Sequence, residues 1–63
     1  MTQKELSYVE DAIGHENSII KICQESVKML DNDELISFLE EEITKHTSTK
    51  EKLTNLLEEK ANG

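Results

Sequence analysis

Asp31-Asn32-Asp33-Glu34 stands between two apolar patterns, one closed by Leu30 and the other opened by Leu35, and it divides the chain in two. The four residues have capping-box spacing: an Asp that can accept from a backbone N–H three residues on, and a Glu that can reach back. Their acidity also suits the positive end of a helix dipole. The same spacing occurs at Thr2-Gln3-Lys4-Glu5. Two helix starts in 63 residues, with no proline and two glycines, predict a helix over about 3–30, a turn over about 31–33 and a helix over about 34–60. Each helix would be near 40 Å long at about 1.5 Å per residue. So short a connection makes the two helices antiparallel neighbours, an αα-hairpin forming a single domain.

Composition excludes the other fold classes. Aromatic residues are 3% of the chain and charged residues 33%, which leaves too few strand formers for a sandwich or a doubly wound sheet. The single Cys23 rules out an intrachain disulfide and fits a reducing compartment. Seven Lys, with no Arg, against fourteen Asp and Glu give a net charge of −7, so phosphate backbones and anionic lipid surfaces are repelled. Neither nucleic acid nor membrane is an expected partner. The start, Met1-Thr2-Gln3-Lys4-Glu5, has no apolar run of the secretory kind, and an intracellular location is expected.

In the first helix Leu6, Val9, Ile13, Glu16, Ile20, Cys23, Val27 and Leu30 follow the 3-4 spacing of a bundle seam. Ala12 and Ile19 flank it, and Tyr8, His15, Ile22 and Met29 widen the apolar arc to roughly 160° at about 100° per residue. In the second, Leu35, Leu39, Glu42, His46, Thr49, Leu53 and Leu56 form the expected seam, flanked by Ile36, Ile43 and Leu57 on one side and Phe38 on the other. Both arcs are wider than one neighbour covers. The expectation is therefore an all-α antiparallel hairpin that dimerises into a four-helix bundle with two-fold symmetry. A higher homo-oligomer, or a complex in which another helical protein supplies the missing helices, is the alternative.

Glu16, Glu42 and His46 interrupt the seams with polar groups. An unpaired carboxylate there would cost several kcal/mol in order of magnitude. Solvent access, mutual hydrogen bonding, pairing with His46 or a bound metal would each compensate. Inward carboxylates and imidazoles are how helical bundles hold iron or manganese pairs, through Glu-x-x-His motifs. Here Glu42 and His46 are an i, i+4 pair and Ile43 precedes His46 by three, a spacing that can chelate a single iron, manganese or zinc ion. His15, at the edge of the arc, is a weaker candidate ligand. Pairing Leu30 with Leu35 across the turn sets Cys23 near Glu42, Ile20 near His46 and Glu16 near Thr49. Gly14 would either admit a close helix approach or sit idle on the surface. No Ser/His/Asp set, phosphate-binding glycine loop or paired-cysteine site is present, so no catalytic residues are assigned.

The run Lys4-Glu5-Leu6-Ser7-Tyr8-Val9-Glu10-Asp11-Ala12-Ile13-Gly14-His15-Glu16, with Asp33-Glu34-Leu35 and Glu40-Glu41-Glu42-Ile43-Thr44-Lys45-His46, resembles small spore-coat-F-like and ferritin-like proteins of spore-forming bacteria. The resemblance implies a half-ferritin hairpin that completes its bundle by association, with a structural role in the spore coat or the cell interior. By position it makes Glu16 the carboxylate of the first helix and His46 the imidazole of the second. Three functions are thus expected, in order: a non-enzymatic assembly component, a metal-binding bundle using Glu16, Glu42 and His46, and a regulatory module docked in a helical groove of another protein.

Overall fold

The computed structural model describes residues 1–62, with side chains for 1–60, as two helices packed side by side: α1, Gln3–Met29, and α2, Asp33–Asn62. No strand is present among the described residues. The antiparallel hairpin expected from the sequence is what forms.

The cap of α1 is the capping box read in the sequence. The Glu5 N–H donates to the Thr2 hydroxyl at 3.1 Å, and the Thr2 N–H donates to the Glu5 carboxylate at 2.8 Å. The Thr2 backbone N–H, then the Thr2 hydroxyl, hold the Glu5 carboxyl below its ordinary value, with a smaller push from the Met1 amino group. A depressed carboxyl contributes stability that is present above its unfolded pKa and lost as pH falls through the folded one. Acidification through and below the ordinary glutamate range is therefore expected to fray α1 from its first turn. Amide protection relative to the intrinsic exchange rate should fall at Glu5 before it falls at Cys23, and simultaneous loss would contradict this order.

The far end of α1 closes without a left-handed residue. Leu30 is extended, at φ −103° and ψ 145°, and its N–H reaches the Val27 carbonyl at 3.5 Å. Lys28 lies in the last turn, where a cation suits the dipole.

The start of α2 differs from the expectation. Asn32, not Asp31, is the cap: its side-chain oxygen accepts from the Leu35 N–H at 3.0 Å, and its carbonyl accepts from the Ile36 N–H at 3.0 Å. Asn and Asp cap about equally well, and a cap at Asn32 places Asp33 and Glu34 together in the first turn, against the positive dipole end. No reciprocal bond from Glu34 is needed. Asn32→Ala should cost about 0.5–2 kcal/mol, while Asp31→Ala should lie within about 0.5 kcal/mol of the parent. Chemical denaturation of both variants separates the two capping schemes, and the opposite ranking would restore Asp31 as the cap.

The face of α2 that meets α1 is displaced from the expected seam toward Ile36, Ile43 and Leu57. Ile36, Leu39, Ile43, His46, Leu53 and Leu57 are half-buried, whereas Leu35, Thr49 and Leu56 are exposed. The three residues Leu30–Asn32 form the connection, and it brings the Ile36 edge of the arc, not the Leu35 edge, against α1. Thr49 instead donates its hydroxyl to the Lys45 carbonyl at 3.1 Å. On α1 the expected seam holds, with Leu6, Val9, Ile13, Glu16, Ile20, Val27 and Leu30 half-buried and Cys23 buried, 8% exposed. Gly14 is exposed, and a methyl group added to it would meet nothing within 4 Å, so it is a surface glycine rather than a site of close approach.

The molecule measures 46 × 15 × 11 Å, with a radius of gyration of 14.5 Å against the roughly 11 Å of a compact domain of this length. It is one layer of two helices without a second layer on either side.

Candidate functional site

Midway along the hairpin the two helices bring Glu16, Glu42 and His46 together. Glu16 stands thirteen residues before the end of α1 and His46 thirteen after the start of α2, so the two lie at one level of the hairpin. The sequence expectation set His46 against Ile20 and Glu16 against Thr49. In the structure His46 meets Glu16, one helical turn from the expected Ile20.

His46 bridges the two carboxylates. Its Nδ1 is in hydrogen-bond contact with Glu16 Oε2. Its Nε2 lies 3.5 Å from Glu42 Oε2, an i, i+4 pair on α2. The side chains are 16% exposed for Glu16, 23% for Glu42 and 28% for His46, so the set is partly screened from water without being sealed. Glu42 also lies 3.8 Å from the ammonium of Lys45, which is itself exposed. No buried side-chain nitrogen or oxygen lacks a hydrogen-bond partner among the described residues. The polar interruption of the seam is thus satisfied within the chain.

The Nδ1 contact with Glu16 joins α1 to α2 through a hydrogen bond, while Nε2 faces Glu42 at 3.5 Å without forming one.

The same geometry works against chelation. The two ring nitrogens point to opposite sides and each meets a different glutamate, so the three donors do not converge on one point. Among the described residues, no group of three or more His, Cys, Asp or Glu is arranged to hold a metal ion. His15 is not part of the set. It is exposed and lines a shallow surface hollow with Glu10, Asp11, Gly14 and Ser18. Cys23 is buried as a small seam residue with a free thiol. Sequence reasoning missed that Thr47, Lys50 and Thr54 are also half-buried along α2. Their spacing to His46 and Leu53 was the available signal, and the Lys50 stem can cover apolar surface while its ammonium stays wet.

The second candidate site is a surface. Tyr8, Ile19, Ile22, Met29, Leu35, Phe38 and Leu56 are exposed, with Ile22 at 64% and Phe38 at 55%. All seven precede a seam residue by one position: Tyr8 before Val9, Ile19 before Ile20, Ile22 before Cys23, Met29 before Leu30, Leu35 before Ile36, Phe38 before Leu39 and Leu56 before Leu57. In an antiparallel pair of right-handed helices, residues displaced in the same sense from both seams fall on the same side of the pair. The exposed large apolar residues of the hairpin therefore lie on one side, along the length of α1 and towards the two ends of α2.

No family model matches the chain, and neither a curated protein nor a solved structure is significantly similar to it. No helix among the described residues is long and apolar enough to cross a membrane.

Proposed function

We propose that this chain is a non-enzymatic helical hairpin that self-associates through its apolar face into a four-helix bundle and serves as an assembly component. Surface area carries this reading. A compact protein of 7.2 kDa exposes about 4,100 Å², whereas this hairpin exposes 4988 Å². The excess, about 900 Å², is close to the roughly 800 Å² that each partner contributes to a stable interface. It coincides with one face on which the large apolar residues gather, and contiguous apolar faces of this extent mark interaction sites. The role resembles that of coat-associated proteins of spore formers, on the motif likeness noted above, and a cytoplasmic or spore-associated location goes with it.

Self-association makes folding bimolecular. The thermal midpoint should therefore rise with protein concentration, by several degrees between about 2 and 200 μM chain, because mass action favours the associated folded state. Circular dichroism melts across that range give the test. A concentration-independent midpoint would overturn self-association.

The Glu16, Glu42 and His46 layer has a place in this reading as the device that sets the register of α1 against α2. Polar groups at seam positions are best attested in that role. A single iron, manganese or zinc ion held by the same three residues is the second reading, and it rests only on their lying at one level of the hairpin. It requires the imidazole to give up its bond to Glu16. Docking of the hairpin into another protein's helical groove is the third, and would use the same apolar face.

A further inference from the structure

Resting on the self-association reading, we infer that the second copy packs antiparallel, α1 on α1 and α2 on α2, with the two-fold axis crossing the middle of α1 beside Ile19. The exposed face carries two different stripes. On α1 the 3-4 spaced positions Tyr8, Ala12, His15, Ile19, Ile22, Ser26 and Met29 include no Asp, Glu or Lys. On α2 the corresponding positions, Leu35, Phe38, Glu42, Lys45, Thr49, Lys52 and Leu56, mix apolar residues with charges of both signs.

Two face-to-face stackings have two-fold symmetry. If the axis runs along the helices, α1 rests on α2 of the second copy. The register fixed by Glu16 and His46 then sets Lys45 against the stretch between His15 and Ile19, and Lys52 against the stretch between Tyr8 and Ala12. Two ammonium groups per copy would lose water to an uncharged stripe that offers no carboxylate, which is unfavourable. If the axis crosses the helices, the uncharged stripes meet each other. Tyr8 then reaches Met29 of the second copy, and His15 reaches its Ile22. The same operation sets Phe38 beside Thr49 of the second copy, Glu42 beside its Lys45 and Leu35 beside its Lys52, so one ammonium per copy, rather than two, meets an uncharged residue. Unlike charges are thereby matched twice, once on each side of the axis, and self-complementarity of this kind is what an isologous interface requires. The inference names the occupant of the apolar face as a second copy of this chain in a defined orientation.

A single introduced cysteine tests the orientation. In a Cys23→Ala background, Ile19→Cys lies next to its own copy only in the crossing arrangement. In the other, the two α1 helices are diagonal across the bundle, beyond the Cα separation of about 7 Å that a disulfide tolerates. Mild oxidation of the full chain should give a band at twice the chain mass on non-reducing electrophoresis. Sedimentation of the reduced protein is run in parallel. A reduced dimer that forms no bridge overturns the orientation and leaves self-association standing, whereas a reduced monomer overturns self-association itself. If Ile19→Cys reduces helicity, the Ala12→Cys, Ser26→Cys chain carries the same test. Those positions are fourteen residues, about 21 Å, apart on one helix, so they bridge only between antiparallel copies.

Discussion

An Ile22→Glu, Phe38→Glu chain should sediment as a monomer at concentrations where the parent is a dimer, and should be less helical. Burying an Ile or Phe side chain contributes about 1.5–3 kcal/mol, and each site occurs twice in a symmetric dimer. The carboxylates that replace them would also have to lose water. A loss of at least about 3 kcal/mol weakens association by a hundredfold or more, since every 1.4 kcal/mol or so is tenfold. The control is Asn17→Glu, an exposed position outside both stripes. It adds the same kind of charge, and it should leave the sedimentation coefficient unchanged. Equal behaviour of the two chains would mean that net charge, not the apolar face, governs association.

His46→Ala should lower stability by about 1–3 kcal/mol, because it removes the donor between two half-buried carboxylates and leaves them facing each other. The exposures of 16% for Glu16 and 23% for Glu42 keep the effect from being larger, since water reaches both. In a chain of this size each kcal/mol moves the thermal midpoint by about 4–8 °C. Replacing all three residues together is expected to behave differently. Glu16→Leu, Glu42→Leu, His46→Leu removes every polar group of the layer at once, and such exchanges are commonly neutral or stabilising. The expected cost of the triple change is in uniqueness: sedimentation should show several oligomers where the parent shows one. A destabilised triple variant with a single oligomeric state would assign the layer to stability instead. A neutral His46→Ala would remove the layer from both roles.

The hairpin was readable because its signals are local. The Thr2-Gln3-Lys4-Glu5 box, the break after Leu30 and the absence of proline all act within a few residues, and each appears in the structure as a helix end or its cap. What the sequence left open was the choice between near-equal neighbours. Asp31 and Asn32 are both good caps, and only the tertiary arrangement decides that Asn32 serves. The covered face of α2 was open in the same way: Leu39, His46 and Leu53 lie in it as expected, but Ile36, Ile43 and Leu57 complete it, and Leu35, Thr49 and Leu56 do not. An apolar arc wider than its neighbour has two edges of similar hydrophobicity, and periodicity cannot say which one is covered first. The polar trio was recognisable residue by residue, since Glu16, Glu42 and His46 interrupt otherwise apolar seams. Its pairing was not, because the partner of His46 depends on the register of α2 against α1, which no local signal gives.

The two halves of the account meet at this level of the hairpin. The trio joins α1 to α2 within one chain, while the stripe beside it stays bare and wide enough for another layer. A device for register next to an uncovered face is what an assembly unit needs, in that it presents the face in one orientation.

Native mass spectrometry of the untagged protein, prepared without chelator, tests the central claim most directly, because subunit number and bound metal are read in the same spectrum. The account predicts a dimer whose mass is that of two chains with no added ion. A monomer at micromolar concentration that still melts cooperatively would contradict it.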